Sequence, residues 1–165
     1  MTFGVKIKKA VLTNYEFYIN RAMYWCSRRE MCCSEVKLRL QKAEVDETSI
    51  KKILAKLIEE NFINEERFVK AFIHDKLEYQ KWGLSKIKNA LYLKNIPKEL
   101  ITEGISGVDK EAYLSKLIEI ALHKLKFIKA ENDFLRDQKL LRFLASKGVS
   151  ADDAFKIINI IKSKK

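Results

Sequence analysis

The chain has very few residues that interrupt helices. Among its 165 residues glycine occurs five times and proline once, at Pro97. Leucine, isoleucine, lysine and glutamate are frequent, and nowhere do apolar and polar residues alternate convincingly as they do in a strand. With 47% apolar residues the chain has enough hydrophobic material for a continuous core. The sequence therefore predicts an all-α protein.

Long apolar runs are also missing. No stretch approaches the roughly 20 apolar residues that a membrane-spanning helix needs. The basic start, residues 1–9, leads into an apolar stretch that is broken at Asn14, so we expect neither a signal peptide nor a membrane partner. The three cysteines lie close together at Cys26, Cys32 and Cys33. An odd count without a secretion signal favours reduced thiols and a cytoplasmic protein.

The signatures of common enzymes are absent from the sequence. It contains neither a GxxxxGK[ST] phosphate loop nor a GxGxxG motif. The two histidines, His74 and His123, lie on different predicted helices, which favours surface or packing roles. The cysteines lack the paired CxxC spacing of a zinc site, so we interpret them as small packing residues. We accordingly expect no catalytic residue, no metal and no cofactor.

Basic residues outnumber acidic ones along the whole chain. There are 33 Lys and Arg against 22 Asp and Glu, a formal net charge of +11. The excess is spread over the chain and is not confined to one tail. It suits a polyanionic partner such as nucleic acid, or an acidic protein surface. The alternative is a soluble protein that is basic for no specific reason.

A pattern of aliphatic residues returns three times, at intervals of about 50 residues. Its copies are Ser34…Leu40…Val45, Ser85…Leu91…Ile96 and Leu140…Leu144…Val149. Such a period predicts an elongated, curved array of three tandem three-helix repeats. We divide the chain into an N-terminal extension at 1–13 and repeats at 14–63, 64–108 and 109–165, which form one continuous array.

Helical periodicity and capping residues predict nine helices. They cover about residues 14–28, 34–42, 46–61, 64–82, 84–93, 97–107, 109–129 and 133–147, and the ninth begins at 150. Ser34 and Asn64 are expected N-caps, and Gly148 is expected to end the eighth helix. Side chains expected to face the core include Ile58, Leu122 and Phe155. The recurring aliphatic residue of each turn is interpreted as a hydrophobic plug: Val45, Ile96 and Val149.

Some cations recur at equivalent positions of the repeats. The equivalent pairs are Lys37 with Lys88, Lys86 with Lys139, and Lys94 with Lys147. A stripe of this kind can follow a phosphate backbone, although Glu35 interrupts it at the position of Lys86. An ordinary solvated helix face is the alternative. The candidate partner-binding residues are Lys37, Arg39, Lys81, Lys86, Lys88, Lys94, Lys139, Arg142 and Lys147.

Aromatic residues lie among these charges at Tyr79, Trp82 and Tyr92. Such rings can stack on unpaired bases. We favour the simpler interpretation, in which they close the joints between helices.

Several segments together resemble the RecX regulators of the bacterial recombinase RecA. The strongest are Phe-Ile-Asn-Glu-Glu-Arg-Phe at 62–68 and Lys-Trp-Gly at 81–83, followed by Ile87, Leu91 and Lys-Asn-Ile at 94–96. Arg-Arg-Glu at 28–30 with Ser-Glu-Val at 34–36, and Arg-Phe-Leu at 142–144 with Lys-Gly-Val-Ser at 147–150, resemble the family's outer repeats. The resemblance covers roughly residues 15–162.

This resemblance implies an all-helical array that binds in the helical groove of the RecA filament on DNA. It further implies inhibition of RecA's ATPase, strand-exchange and co-protease activities, and thereby modulation of DNA repair and the SOS response. The implied partners are RecA and single- or double-stranded DNA, reached directly or through the filament by a monomer without catalytic activity. The net charge suggests an alternative, a stand-alone helical nucleic-acid-binding module.

Two turns depart from the family pattern. Glu44 and Asn95 stand where the family has glycine. Asparagine tolerates a left-handed backbone, whereas glutamate is less easily accommodated there.

Overall fold

The structure is a computed structural model, which describes the backbone of residues 3–163 and the side chains of residues 14–163. Every regular element of residues 3–163 is an α-helix. These are α1 (Phe3–Arg28), α2 (Cys33–Lys42), α3 (Glu47–Glu59), α4 (Glu65–Glu78), α5 (Leu84–Leu93), α6 (Lys98–Ser106), α7 (Lys110–Leu125), α8 (Asp133–Lys147) and α9 (Ala151–Ser163). The all-α prediction is therefore confirmed. Residues 1–2 of the expected extension and 164–165 of the expected third repeat lie outside the described residues.

Three helix boundaries differ from the predicted ones by more than two residues. α1 begins at Phe3 rather than near 14, because residues 3–13 contain no proline and only one glycine to interrupt it. α4 ends at Glu78 rather than near 82, where Lys81 adopts a left-handed φ of 53°. α7 ends at Leu125 rather than near 129, because the amides of residues 126–128 turn to carbonyls three residues earlier.

Side-chain caps fix several of the helix starts. Asn64 accepts a hydrogen bond from the Arg67 N–H at 2.9 Å, as predicted. Ser34 is not the cap of α2, because that helix begins at Cys33. The Cys33 N–H instead donates to Glu65 Oε1 at 2.9 Å, so a carboxylate from α4 satisfies the exposed amide at the start of α2.

The chain forms two compact units, each with its own core. The first unit comprises Met1–Ala71 and Lys94–Ile96, and the second comprises Phe72–Leu93 and Pro97–Lys165. The buried residues of the first core are Ala22, Met31, Val36, Leu40, Ile50, Ile53, Leu57 and Ile63. Those of the second core are Tyr113, Leu117, Ala121, Leu140, Leu144, Val149, Ala154, Ile157, Ile158 and Ile161.

Three residues expected to face the core are largely exposed. Ile58 is 53%, Leu122 45% and Phe155 55% exposed. Each lies at the edge of its helix stripe, beside a residue that takes the inward position. On α9, for example, the small Ala154 is buried in place of Phe155, which allows close helix packing.

The three repeated turns share one backbone conformation. Glu44, Asn95 and Gly148 have φ values of 58°, 58° and 82°. In the first and third turns the next residue, Val45 or Val149, donates its N–H to the carbonyl five residues earlier at 3.1 Å. This is the Schellman ending of a helix, in which an apolar residue after the left-handed position packs back on the helix.

The predicted turn plugs occupy the positions that this motif requires. Ile96 and Val149 are buried, and Val45 is half-buried against the first core.

Candidate anion-binding surface

The nine predicted binding residues divide between the two units. Lys37, Arg39 and Lys94 belong to the first unit. The second unit contains Lys81, Lys86, Lys88, Lys139, Arg142 and Lys147. Their surroundings differ in a way that the sequence did not reveal.

In the first unit the three cations contact other side chains. Lys37 Nζ lies 3.3 Å from Glu47 Oε2, and the Arg39 guanidinium lies 5.2 Å from the ring centroid of Trp25. Lys94 Nζ lies 2.5 Å from Glu35 Oε1, and this pair is the most buried of the three contacts. These contacts occupy the three cations, so any binding role they have must compete with them.

In the second unit the start of α5 is fastened to the end of α8. The Gly83 N–H donates to the Lys147 carbonyl at 2.7 Å, and the Ser85 N–H donates to the Gly148 carbonyl at 3.1 Å. The Leu84 N–H donates to Tyr113 Oη at 3.2 Å. The amides of Gly83, Leu84 and Ser85 are therefore occupied, which leaves the lysine side chains as the main donors for a ligand here.

Burial raises the pKa of the Tyr113 phenol. The phenol therefore stays neutral at physiological pH and can accept the Leu84 amide while remaining a core residue.

Gly148 brings Lys86 and Lys147 to the same joint between α5 and α8. A Cβ placed on Gly148 would lie 2.2 Å from the Lys86 Cβ and 2.7 Å from the Lys86 N. Only a residue without a side chain permits so close an approach. Lys147 directly precedes Gly148, and its carbonyl accepts the Gly83 N–H, so its backbone also lies at this joint.

Two aromatic rings in this unit each lie beneath two ammonium groups. Lys76 Nζ and Lys86 Nζ lie 4.8 and 4.5 Å from the Trp82 ring centroid. Lys124 Nζ and Lys147 Nζ lie 5.3 and 6.0 Å from the Phe143 centroid. These are cation–π distances, so the rings orient the ammonium groups without using their N–H donors.

Sequence reasoning missed Lys76 and Lys124, because they do not recur at equivalent repeat positions. For Lys76, on α4, the signal available in the sequence was its short spacing from Trp82, which follows the end of that helix.

The predicted cations of the second unit form no ion pair in the described part of the chain. No carboxylate there lies within 4 Å of Lys81, Lys86, Lys88, Arg142 or Lys147. Lys139 also lacks a carboxylate, although its ammonium donates to the Lys129 carbonyl at 2.6 Å. Unpaired ammonium groups keep their donors available for an anion.

The exposed aromatic rings differ from the expectation that they close helix joints. Tyr79 is 75% exposed, and Tyr92 is also exposed. Trp82 is half-buried and is the one of the three that packs between cations.

The cysteines and histidines have the surroundings of packing and surface residues. Burial raises the pKa of all three thiols, and burial followed by a hydrogen bond with Glu65 raises that of Cys33 to about 12. They are therefore protonated thiols at neutral pH, which are poor nucleophiles. His74 and His123 are exposed. Among the described residues no group of three His, Cys, Asp or Glu side chains is placed to hold a metal.

A cavity of about 620 Å³ lies between α7, α8 and α9. Its walls are mostly aliphatic, and its one carboxylate, Asp137, is paired with Arg136 and Lys162. None of the nine predicted binding residues lines it. No described helix is long and apolar enough to cross a membrane.

Comparison with known proteins supports the resemblance seen in the sequence. Residues 64–105 match the family model described as RecX, second three-helix domain. This region contains Trp82, Lys86 and Lys88.

Curated relatives named Regulatory protein RecX match more of the chain. One from Clostridium botulinum is 36% identical over 161 residues, which cover 90% of this chain and 75% of the relative. One from Clostridium beijerinckii is 39% identical over 126 residues, which cover 75% of this chain and 58% of the relative. The second match thus spans little more than half of that relative's length.

Solved structures share the fold. A crystal structure of RecX from Lactobacillus salivarius has a TM-score of 0.81 at 20% identity, covering 92% of this chain and 98% of that one. A second crystal structure of regulatory protein RecX has a TM-score of 0.83 at 18% identity, covering 96% and 78%. At these identities the likeness shows the all-α helical repeat fold. The identity and coverage of the Clostridium botulinum relative place the chain in the RecX family of regulatory proteins.

Proposed function

We propose that this chain regulates RecA by binding in the helical groove of the RecA filament on DNA. In this function it inhibits ATP hydrolysis, strand exchange and co-protease activity, and so modulates DNA repair and the SOS response. Membership of the RecX family supports the proposal. The observation that carries it is the coincidence of the family-specific region, residues 64–105, with unpaired lysines beside an aromatic ring.

The proposed mechanism is obstruction by binding. Lys86, Lys88 and Lys147 offer ammonium groups to the phosphates of the filament's DNA or to acidic side chains of RecA, and each contact with phosphate releases counterions. The chain itself contributes no catalytic group or cofactor. It acts as a monomer in the cytoplasm, where its partner works.

The unpaired cations also favour a second candidate, a stand-alone helical DNA-binding module. They can neutralise phosphates whether or not a recombinase is present. The two candidates differ in how they respond to salt, because electrostatic binding to bare DNA weakens steeply as salt rises.

The deciding experiment measures RecA's ATPase on single-stranded DNA with and without this protein. The salt concentration is first raised until the protein alone no longer binds the same DNA. We expect inhibition at stoichiometric amounts to persist there. Absence of inhibition would contradict the regulatory function and leave the stand-alone DNA-binding module.

A matched pair of variants tests the site within the same assay. The first changes Lys86, Lys88, Lys139 and Arg142 to Ala. The control changes four other exposed lysines, Lys51, Lys52, Lys110 and Lys156, to Ala. Both lose the same charge, so selective loss of inhibition in the first variant assigns the contact to its four residues.

A further inference from the structure

Equivalent positions of the repeats lie at one joint in each unit, and their charges differ. In the first joint, Lys94 after α5 pairs with Glu35 near the start of α2. In the second joint, Gly148 after α8 packs on Lys86 near the start of α5, and the carbonyl of the preceding Lys147 accepts the Gly83 N–H. The repeat register makes Lys147 the equivalent of Lys94 and Lys86 the equivalent of Glu35. An ion pair in the first joint is thus replaced by two lysines in the second.

The first joint has its own anion. Glu35 is only 18% exposed, and its two carboxylate oxygens lie 2.5 Å from Lys94 Nζ and 3.0 Å from the Arg29 guanidinium. One carboxylate therefore receives hydrogen bonds from two cations. Two cations at such a joint can therefore hold one carboxylate between them.

The second joint has cations without that carboxylate. Among the described residues no acidic group lies within 4 Å of Lys86 or Lys147. The acidic side chains on neighbouring elements have other partners: Glu78 pairs with Lys116, and Asp153 accepts a hydrogen bond from the Ser150 hydroxyl.

The neighbouring charges add to the excess. Lys76 shares the Trp82 ring with Lys86, and Lys124 shares the Phe143 ring with Lys147. Like charges held close together repel, and an anion between them removes the repulsion.

We propose that the second joint is a phosphate-binding site in which an external oxyanion takes the place of the Glu35 carboxylate. Lys86 and Lys147 contact it, and Lys76 and Lys124 strengthen the local field. Since the Leu84 and Ser85 amides at the start of α5 are occupied, the lysine side chains supply the donors in this proposal. The phosphate comes either from a nucleic-acid backbone or from a free oligophosphate. The inference deepens the nucleic-acid part of the proposed function, but its test contains no RecA.

A charge-reversal cycle measures the contact on the full-length chain. Lys86→Glu and Lys147→Glu each restore one opposite-charge pair, and the double variant places two carboxylates together. If the two changes were independent, their shifts in melting temperature would add. In low salt we expect the double variant to melt roughly 2–4 °C below that additive value. The effect of each new carboxylate on its own helix dipole cancels in this comparison. Additive melting temperatures would overturn the proposed proximity of the two lysines.

Ligand binding is measured on the same variants. The probes are inorganic tripolyphosphate and a short oligothymidylate, each compared with chloride at matched ionic strength. A site that binds in the folded state raises the melting temperature of the wild type, and we expect the rise to be lost in both single variants. The control is Lys88→Glu, which lies on the same helix but outside the joint. It should keep most of the rise in melting temperature.

The outcomes separate the two sources of phosphate. A rise with the oligonucleotide assigns the site to a nucleic-acid backbone, and a rise with tripolyphosphate alone assigns it to a free oligophosphate. No rise with either probe, or an equal loss in Lys88→Glu, would refute the site. In either case the RecA assay is unaffected, so the regulatory proposal is judged separately.

A variant of the first joint gives an independent measurement. Glu35→Lys reproduces the second joint's charges in the first unit. We expect it to lower the melting temperature in chloride and to make it respond to tripolyphosphate. A variant that does not respond would contradict the idea that the missing carboxylate creates the site.

Discussion

Gly148 meets two requirements that no other residue type meets together. Its φ of 82° lies in the left-handed region, and its Cα lies against the backbone and Cβ of Lys86. Glu44 occupies the equivalent position of the first turn at φ 58°. It accepts the backbone cost of roughly 1–2 kcal/mol because nothing there requires the Cβ to be absent. The third turn has no such freedom.

We expect Gly148→Ala to destabilise the protein by roughly 2–5 kcal/mol, from left-handed strain and from the contact with Lys86. Urea unfolding followed by circular dichroism measures the loss. The control is Gly107→Ala, whose Cβ meets only ordinary contacts of 3.6 Å at a right-handed φ of −76°. This control is expected to be neutral or to stabilise by about 0.4–1 kcal/mol. Equal effects of the two changes would contradict the packing argument.

The turn plug Ile96 offers a second measurement at this scale. The side chain is 4% exposed, so Ile96→Ala should cost roughly 2–5 kcal/mol of unfolding free energy, as buried large-to-small changes do. Leu93→Ala, three residues earlier and almost fully exposed, should cost less than about 0.5 kcal/mol. If Ile96→Ala lowered the unfolding free energy by less than about 0.5 kcal/mol, Ile96 would not be a buried turn plug.

At the scale of the elements, single carboxylates connect neighbouring helices. Glu65 of α4 accepts the first amide of α2, and Asp137 of α8 pairs with Lys162 of α9. Burial of Asp137 raises the pKa of its carboxyl, but hydrogen bonds from Lys162 and Arg136 outweigh it, so the pKa lies below its ordinary value. The charged form is thus favoured by folding.

This shift predicts a specific acid sensitivity. A lowered pKa in the folded state stabilises the protein above the ordinary carboxyl pKa, and the stabilisation is lost as pH falls through the folded value. At pH 7, Asp137→Asn should therefore have a lower melting temperature than the wild type. Below about pH 4 the difference in melting temperature between the two proteins should become smaller. The comparison variant is Asp133→Asn, an exposed carboxylate on the same Arg136. If the difference in melting temperature between Asp137→Asn and the wild type stayed the same across the pH range, this role of Asp137 would be contradicted.

At the scale of the whole molecule, the net charge of +11 is the dominant long-range feature. Among the candidate binding cations, Lys81, Lys86, Lys88, Arg142 and Lys147 of the second unit form no ion pair with the described residues. Binding to a polyanion should therefore depend strongly on salt, and the slope should report how many of these cations contact phosphate.

The variant that changes Lys86, Lys88, Lys139 and Arg142 to Ala tests this directly. We expect it to weaken DNA or filament binding and to reduce the slope of log affinity against log salt by up to roughly 3. Fluorescence anisotropy of labelled single-stranded DNA over a salt series measures the slope. The slope should stay unchanged in the control with Lys51, Lys52, Lys110 and Lys156 changed to Ala, and an unchanged slope in both variants would refute the basic stripe.

The helices were predictable because their signals are local. Apolar spacing, caps such as Asn64 and the scarcity of glycine and proline act within a few residues of chain. The left-handed turns were predictable for the same reason, since Gly148 and Asn95 suit that conformation. The misses, Ser34 and Phe155, occurred where a distant contact decided: Glu65 supplies the α2 cap, and α9 packs through Ala154.

The sequence by itself determined the all-α fold, the recurring turns and the family, because these depend on residue types and on spacings along the chain. Only the tertiary structure decided which cations are paired. Lys94 is held by Glu35 across 59 residues, whereas Lys86 packs on Gly148, next to Lys147, at a joint where no described carboxylate lies within 4 Å of either lysine. Charge pairing depends on distances in space, which a linear pattern of lysines does not specify.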